Sequence, residues 1–402
     1  MKQFKTLDDI SKKGKTVLVR IDINTSIDDD GKPQMSERIE AASETIRELS
    51  DDGAKVVALA HQGRPGDDDF TELRGHAKLL AECLDRDVGY IDDILGPGAR
   101  KAVSELQDGD ILLLENVRFL AEETLKLTPE GHAKSFMVRK LSPLIDVFVN
   151  DAFSAAHRSQ ASLVGFTVDT PKAMGRTMER EVSSISKAME DPEKPCVYIL
   201  GGLKPQEAFE VMNHGLSSGG IDRALTCGIV GRICLLAKGV DTGPEDSKFF
   251  EKKGFVDFVP RAEDIIGEFG ERVMTPVDVG ALKGEERVEI DVSDLPTDLE
   301  IFDIGQKTLE SYGDAISSAK TVVMNGPAGV YEEDLFRLGT EGLLKAVSES
   351  SAFSLMGGGH TLKAMEKLSF TKDEFSYVSL AGGALISFLS GEEMPAIEAL
   401  KV

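Results

Sequence analysis

No stretch of this chain comes near the ~20 consecutive apolar residues that a membrane-crossing helix needs. Its first residues, MKQFKTLDDISKKGK, carry no apolar segment of the signal-peptide kind. The chain therefore reads as a soluble, intracellular protein of the cytoplasm. Cysteine is scarce. Cys83, Cys196, Cys227 and Cys234 form no C-x-x-C pair and no zinc spacing, which points to free, mostly buried thiols in a reducing compartment. Positive charge is in deficit: 46 Lys and Arg face 70 Asp and Glu, a formal net charge of −24. That balance argues against nucleic acid and anionic membranes as partners. Both common nucleotide fingerprints are missing as well. G-x-x-x-x-G-K-[ST] does not occur, and no G-x-G-x-x-G follows a strand.

What is present is alternation. The 402 residues exceed what one core serves, and 41% apolar residues are enough for two. Residues 16–21 (TVLVRI), 55–60 (KVVALA), 88–91, 111–114 and 147–149 suit buried strands. Ser36 stands where an N-cap belongs, ahead of a helical face of Ile39, Ala42, Ile46 and Leu49, and residues 77–84 suit another helix. Such a βαβ series predicts a parallel sheet with helices on both faces, and in such sheets ligands sit beyond the carboxyl ends of the strands. Those ends carry Asp22 and Asn24, then His61 and Arg64 in HQGRPG, then Arg118 in LLLENVRF. Arg38, opening the first helix, joins them. Residues 146–159 (DVFVNDAFSAAHRS) are the stretch the rest is arranged around, leaving a strand through Asn150 and Asp151 and closing on His157 and Arg158. Taken alone it also reads as a polar surface loop; its repetition at neighbouring tips turns it into a crown of cations suited to phosphate and carboxylate. Exposed charges are screened beyond about 8–10 Å, so a tight cluster of this kind can hold a small polyanion inside an acidic protein.

Residues 174–189 read as a long amphipathic helix that bridges two domains, without the Gly, Ser or Pro richness of a loose linker. The second half alternates again with different loop chemistry. Gly201, Gly202 and Lys204 follow residues 197–200, and Cys227 and Gly228 follow residues 223–226. Asn325, Gly326, Pro327 and later Glu332 follow residues 321–324; Gly357, Gly358 and Gly359 follow residues 353–356; Gly382 and Gly383 follow residues 377–380. Glycine lets backbone N–H groups approach phosphate oxygens, although any one such pair is as readily a tight turn.

In this order the motifs resemble those of the phosphoglycerate kinase family, archaeal members above all: RIDIN at 20–24, HQGRP at 61–65, LLENVRF at 113–119, VNDAF at 149–153, AHR at 156–158, GGLK at 201–204, NGPAGVYE at 325–332 and GGA at 382–384. The resemblance covers essentially the whole chain. It implies an α/β fold of two doubly wound parallel-sheet domains joined by a helix hinge. Residues 1–172 would bind phosphoglycerate, with the tail 385–402 packing back on them. Residues 173–191 would be the interdomain helix and residues 192–384 the nucleotide domain. It implies phosphoryl transfer between 1,3-bisphosphoglycerate and Mg-ADP. Asp22, Asn24, Arg38, His61, Arg64, Arg118 and Arg158 would hold phosphoglycerate. Gly201, Gly202, Lys204, Gly228, Asn325, Glu332, Gly357, Gly358, Gly359, His360 and Thr361 would hold the nucleotide. Arg38, Lys204, Gly382 and Gly383 would act on the moving phosphoryl group. Partners would be these small molecules, with the chain a monomer or homodimer.

The sequence also departs from the family pattern. Gln62 replaces the usual leucine of H-L-G-R-P and reads as a packing change. Ala208 stands where a second lysine follows Lys204, which removes a cation from the α-phosphate. His360 replaces a carboxylate, so Mg²⁺ is expected mainly on the nucleotide phosphates, with the imidazole outside its inner shell or merely at a helix start. Leu380 lacks the usual hydroxyl. Two other classes compete: a non-catalytic phosphometabolite or nucleotide sensor on the same fold, and a dinucleotide-dependent dehydrogenase. The retained Arg38 and Lys204 argue against the first, the missing fingerprint against the second.

Overall fold

Short runs of β-branched and aliphatic residues build two six-stranded parallel sheets in the computed structural model, which describes residues 3–402. The chain forms two compact units: one comprises everything up to Ser183 together with Glu393–Val402, the other Ser184–Glu392. The division thus falls inside the helix Arg176–Met189, not at its ends.

In the first unit the strands are β1 (Thr16–Arg20), β2 (Lys55–Leu59), β3 (Gly89–Tyr90), β4 (Ile111–Leu113), β5 (Val147–Asn150) and β6 (Lys172–Met174). They lie in the order β3-β4-β2-β1-β5-β6 with every pairing parallel. Parallel sheets are buried on both faces, which explains the continuous apolar runs. Val17, Val19, Val56 and Ala58 pack with Ile39, Ala42, Ile46 and Leu49 of the helix Glu37–Asp51 and with Leu80 of the helix Arg74–Leu84. Leu18, Val57, Leu59 and Phe148 point the other way, into Val103 of the helix Pro97–Glu105 and Met137 and Leu141 of Phe136–Leu141. Ser36 does occupy the N-cap position, but its hydroxyl makes no capping bond. The C-terminal residues return to this unit: Ala396 N–H donates to the Ala156 carbonyl at 3.1 Å, and Lys172 Nζ to that of Ala399 at 2.7 Å.

The second unit holds β7 (Cys196–Leu200), β8 (Arg223–Thr226), β9 (Val273–Met274), then β10 (Asp278–Lys283), β11 (Glu286–Asp291) and β12 (Glu300–Ile304), then β13 (Thr321–Asn325), β14 (Phe353–Gly357) and β15 (Tyr377–Val378). Its main sheet runs β15-β14-β13-β7-β8-β9, again parallel throughout.

Two features differ from the sequence reading. The bridging helix does not start at Met174. Lys172–Met174 is an edge strand paired with β5, and Gly175 separates it from the helix Arg176–Met189. A Cβ on Gly175 would run into the Asp151 carboxylate, so this glycine lets the chain turn from sheet to helix past a buried acid. The second feature is the antiparallel sheet β11-β10-β12, which the alternation of helices and strands did not predict. Val279, Ala281 and Ile301 of that sheet pack with Leu235 of the helix Gly228–Ala237.

Candidate active site

In the first sheet β1 has β2 on one side and β5 on the other, so strand order reverses there. A crevice outside the carboxyl ends at such a point is where open α/β sheets bind ligands. The segment after β1 turns on Asp22, whose carboxylate accepts the Asn24 N–H at 3.0 Å and the Ser154 hydroxyl, and pairs with Arg38 Nη1 at 3.4 Å. Asn24 Oδ1 accepts the Gly63 N–H at 2.8 Å, which ties the β1 tip to the β2 tip. The Gly63 carbonyl in turn accepts from the Arg118 guanidinium of the β4 tip.

Beneath these loops Arg20, fully buried at the end of β1, donates from Nε to Ser162 Oγ at 2.9 Å. Its Nη2 meets His61 Nδ1 at 2.9 Å. A guanidinium has no lone pair to offer, so Nδ1 is the acceptor and the ring is neutral with its proton on Nε2. Burial first, then the charge of Arg20, push the His61 pKa well below the ordinary value, in agreement with that geometry. The Ser162 hydroxyl and N–H are taken by Glu123, a buried carboxylate whose pKa burial pushes up and the Arg20 charge pulls back.

The cations crowd one another. Burial, followed by the fields of Arg158, Arg20 and Arg64, brings Arg118 down to about 10. Arg158 is lowered by burial and by Arg64. For Asp22 burial works upward, but the Arg38 charge and the hydrogen bonds from Ser154 and Asn24 oppose it, and the carboxyl is held below its usual range. Asp22, Asn24, Arg38, His61, Arg64, Arg118 and Arg158 therefore form one cluster. Arginines that raise the cost of one another's charge are poised for a multiply charged anion to relieve them.

The second sheet repeats the principle with backbone groups. Its order reverses at β7, flanked by β8 and β13. Gly201 N–H donates to Asn325 O at 3.0 Å, Gly202 N–H to Pro327 O at 2.8 Å, Gly228 N–H to Ala328 O at 2.9 Å, and Gly326 N–H to Thr361 Oγ1 at 2.8 Å. The glycines divide by what surrounds them. A Cβ on Gly201 would strike the Pro327 carbonyl, one on Gly326 the Gly201 carbonyl, and one on Gly357 the Leu385 side chain. Gly201 and Gly326 thus let the tips pack backbone to backbone, and Gly357 makes room for the Leu385 side chain. Gly359 and Gly383, by contrast, face open space, and a Cβ on Gly382 would come no nearer than 4.0 Å to Gly359 N. The helices Gly359–Lys367 and Gly382–Leu389 thus bring their N-termini side by side, two positive dipole ends at one spot.

Lys204 precedes the helix Pro205–Ser217, with its side chain 66% exposed and paired with Glu207 at 2.8 Å. Glu332 is exposed, and its carbonyl accepts from Lys367 of the helix Gly359–Lys367. His360 is exposed in the first turn of that helix, and Ala208 is buried on the helix Pro205–Ser217. Among the described residues no three His, Cys, Asp or Glu side chains gather as a metal site.

Three site residues escaped the sequence reading. Arg20 had a signal: a charged residue inside an apolar strand is rarely buried without a task. Ser154 had none. Gln62, taken as a packing change, is instead fully buried and hydrogen-bonded through its side chain to Thr25, Asp69 and His76, which corrects that expectation.

Comparison with known proteins adds independent findings. The family model described as Phosphoglycerate kinase matches residues 7–392. The chain is 48% identical over 400 residues to the phosphoglycerate kinase of Methanothermobacter thermautotrophicus, covering 99% of this chain and 97% of that protein. It is 45% identical over 402 residues to that of Methanothermus fervidus, covering 100% and 98%. The crystal structure of the phosphoglycerate kinase from Pyrococcus horikoshii superposes with a TM-score of 0.88 at 42% identity, covering 98% of each chain. On its motifs, its two parallel-sheet units and these matches along its whole length, the chain belongs to the phosphoglycerate kinase family.

Proposed function

We propose that the chain reversibly transfers a phosphoryl group from 1,3-bisphosphoglycerate to Mg-ADP, giving 3-phosphoglycerate and Mg-ATP, with the first unit holding phosphoglycerate and the second the nucleotide. The observation that carries this division is the arginine cluster at the β1 tip, set against the backbone-lined tips of the second sheet. Arg64, Arg118 and Arg158 take the phosphate and carboxylate of phosphoglycerate through forked hydrogen bonds. Neutral His61 donates from Nε2, and Asp22 and Asn24 orient the sugar-acid oxygens. Gly201, Gly202, Gly228, Asn325, Gly357, Gly358, Gly359, His360 and Thr361 surround the nucleotide, and Glu332 accepts from its ribose.

Phosphoryl transfer asks for positioning and charge stabilisation. In the ATP-consuming direction the acceptor is a carboxylate, ionised at neutral pH, so no general base is needed. Arg38 and Lys204 neutralise the moving phosphoryl oxygens, and the N–H groups of Gly382 and Gly383 add fixed donors. Magnesium enters as part of the nucleotide substrate. Mg²⁺ usually keeps phosphates and waters as ligands. We place the protein in the cytoplasm, as a monomer or homodimer. Nothing favours the sensor alternative, since Arg38 and Lys204 are both in place.

A coupled assay following ATP formation from 1,3-bisphosphoglycerate, ADP and Mg²⁺ tests the assignment. Turnover that needs all three is expected. No ATP above the uncatalysed background at saturating substrates would overturn it.

A further inference from the structure

The side chain of Gln62 is fully buried, and all of its hydrogen-bonding capacity is used. Oε1 accepts the Thr25 N–H at 3.0 Å and faces His76 Nε2 at 3.0 Å. Nε2 donates to the Thr25 carbonyl at 2.9 Å and to the Asp69 carbonyl at 3.1 Å. The amide thus pairs with the Thr25 peptide in both directions, as a neighbouring strand would. That pairing fixes its orientation, because a flipped amide would set like groups face to face. An amide oxygen can only accept, so His76 must be the donor. Burial brings the His76 pKa down to about 4, which keeps the ring neutral and its donor role constant near neutral pH.

The backbone around Gln62 extends the tie. Asn116 Nδ2 donates to the Gln62 carbonyl at 2.8 Å and to that of Thr71 at 2.9 Å, while Asn116 Oδ1 accepts the Arg118 N–H at 3.1 Å. Gly63, next in the chain, bonds Asn24 Oδ1 on one side and the Arg118 guanidinium on the other. A shift of residues 62 and 63 would therefore move Asn24, His61, Arg64 and Arg118 together.

We infer that Gln62 is a positioning residue of the phosphoglycerate half-site, its side-chain amide setting the register of the strand-tip loops that carry Asp22 and Asn24, His61 and Arg64, and Arg118. This rests on the reading of the first unit as the phosphoglycerate side. An apolar side chain of the same length fills the space but leaves the Thr25 N–H and carbonyl and the His76 N–H buried without partners, and the half-buried Asp69 carbonyl without its donor. Those groups regain partners only if the loops separate.

The test is steady-state kinetics on Gln62→Met, a nearly volume-conserving change, with folding checked by circular dichroism. The expected result is a KM for phosphoglycerate raised about tenfold or more, with the nucleotide KM held within about twofold. Should Gln62→Met fail to fold, Gln62→Glu replaces it. It keeps both acceptor contacts but sets an oxygen against the Thr25 and Asp69 carbonyls, and the same split is expected. A folded variant with an unchanged phosphoglycerate KM, or with both KM values raised alike, overturns the inference. Arg64→Ala separates this failure from failure of the underlying reading. If Arg64→Ala raises the nucleotide KM instead, the assignment of the unit is wrong. If it raises only the phosphoglycerate KM while the Gln62 variants do not, the inference alone falls.

Discussion

The guanidinium of Arg20 decides what His61 can do. By occupying Nδ1 it keeps the ring neutral and leaves Nε2–H as a donor, so in the proposed role the histidine offers an anion a hydrogen bond without adding charge to arginines that already repel. Lys204 is in the opposite situation: exposed and, among the described residues, paired only with Glu207 of the helix it precedes, it can leave that surface pair at small cost. Replacing it with alanine should leave the fold intact and lower kcat by on the order of 10²–10³, roughly 3–4 kcal/mol, the usual loss for one preorganised charge stabiliser. Turnover near that of the unmodified enzyme would remove Lys204 from the chemistry. The cations of the site were legible in the sequence because most stand in the short segments that follow apolar runs. Gln62 and Ser154 were not, because their meaning lies in partners far along the chain: Gln62 is 37 residues from Thr25 and Ser154 is 132 from Asp22.

At the scale of elements, the start of the helix Arg176–Met189 is set by Asp151, which leaves β5 and accepts the Met178 N–H at 3.0 Å. Burial pushes its carboxyl up to about 6, against the pull of that N–H. The folded state therefore keeps a proton that the unfolded chain releases near ~3.9, and stability contributed by the protonated group is lost as pH rises from about 4 to about 6. Asp151→Asn keeps the acceptor and cannot titrate. In urea titrations across this window, the stability of the unmodified protein relative to the variant should fall with rising pH, by about 3 kcal/mol at most. Parallel stability curves would show that Asp151 does not titrate there. The parallel strands were readable because burial on both faces forces unbroken apolar runs. The β10–β11 hairpin was not: Glu286–Asp291 is largely half-exposed and charged, and only the Gly284–Glu285 turn marks it. The edge strand Lys172–Met174 is three residues long, too short to show a period before the helical one begins.

Across the whole molecule, a net charge of −24 accompanies a cluster of mutually repelling arginines in one unit and two neighbouring helix N-termini in the other. Screening confines the acidic field to the first ~8–10 Å, so the two half-sites keep their own electrostatic character. The central claim is that they divide the substrates between them. Calorimetric titration of 3-phosphoglycerate and of Mg-ADP, each alone, into the unmodified protein and Arg118→Ala tests this most directly. The account predicts that Arg118→Ala binds 3-phosphoglycerate at least about tenfold more weakly, as loss of a charge-assisted hydrogen bond requires, and binds Mg-ADP within about twofold of the unmodified protein. Unchanged 3-phosphoglycerate binding, or a loss falling on Mg-ADP, would contradict it.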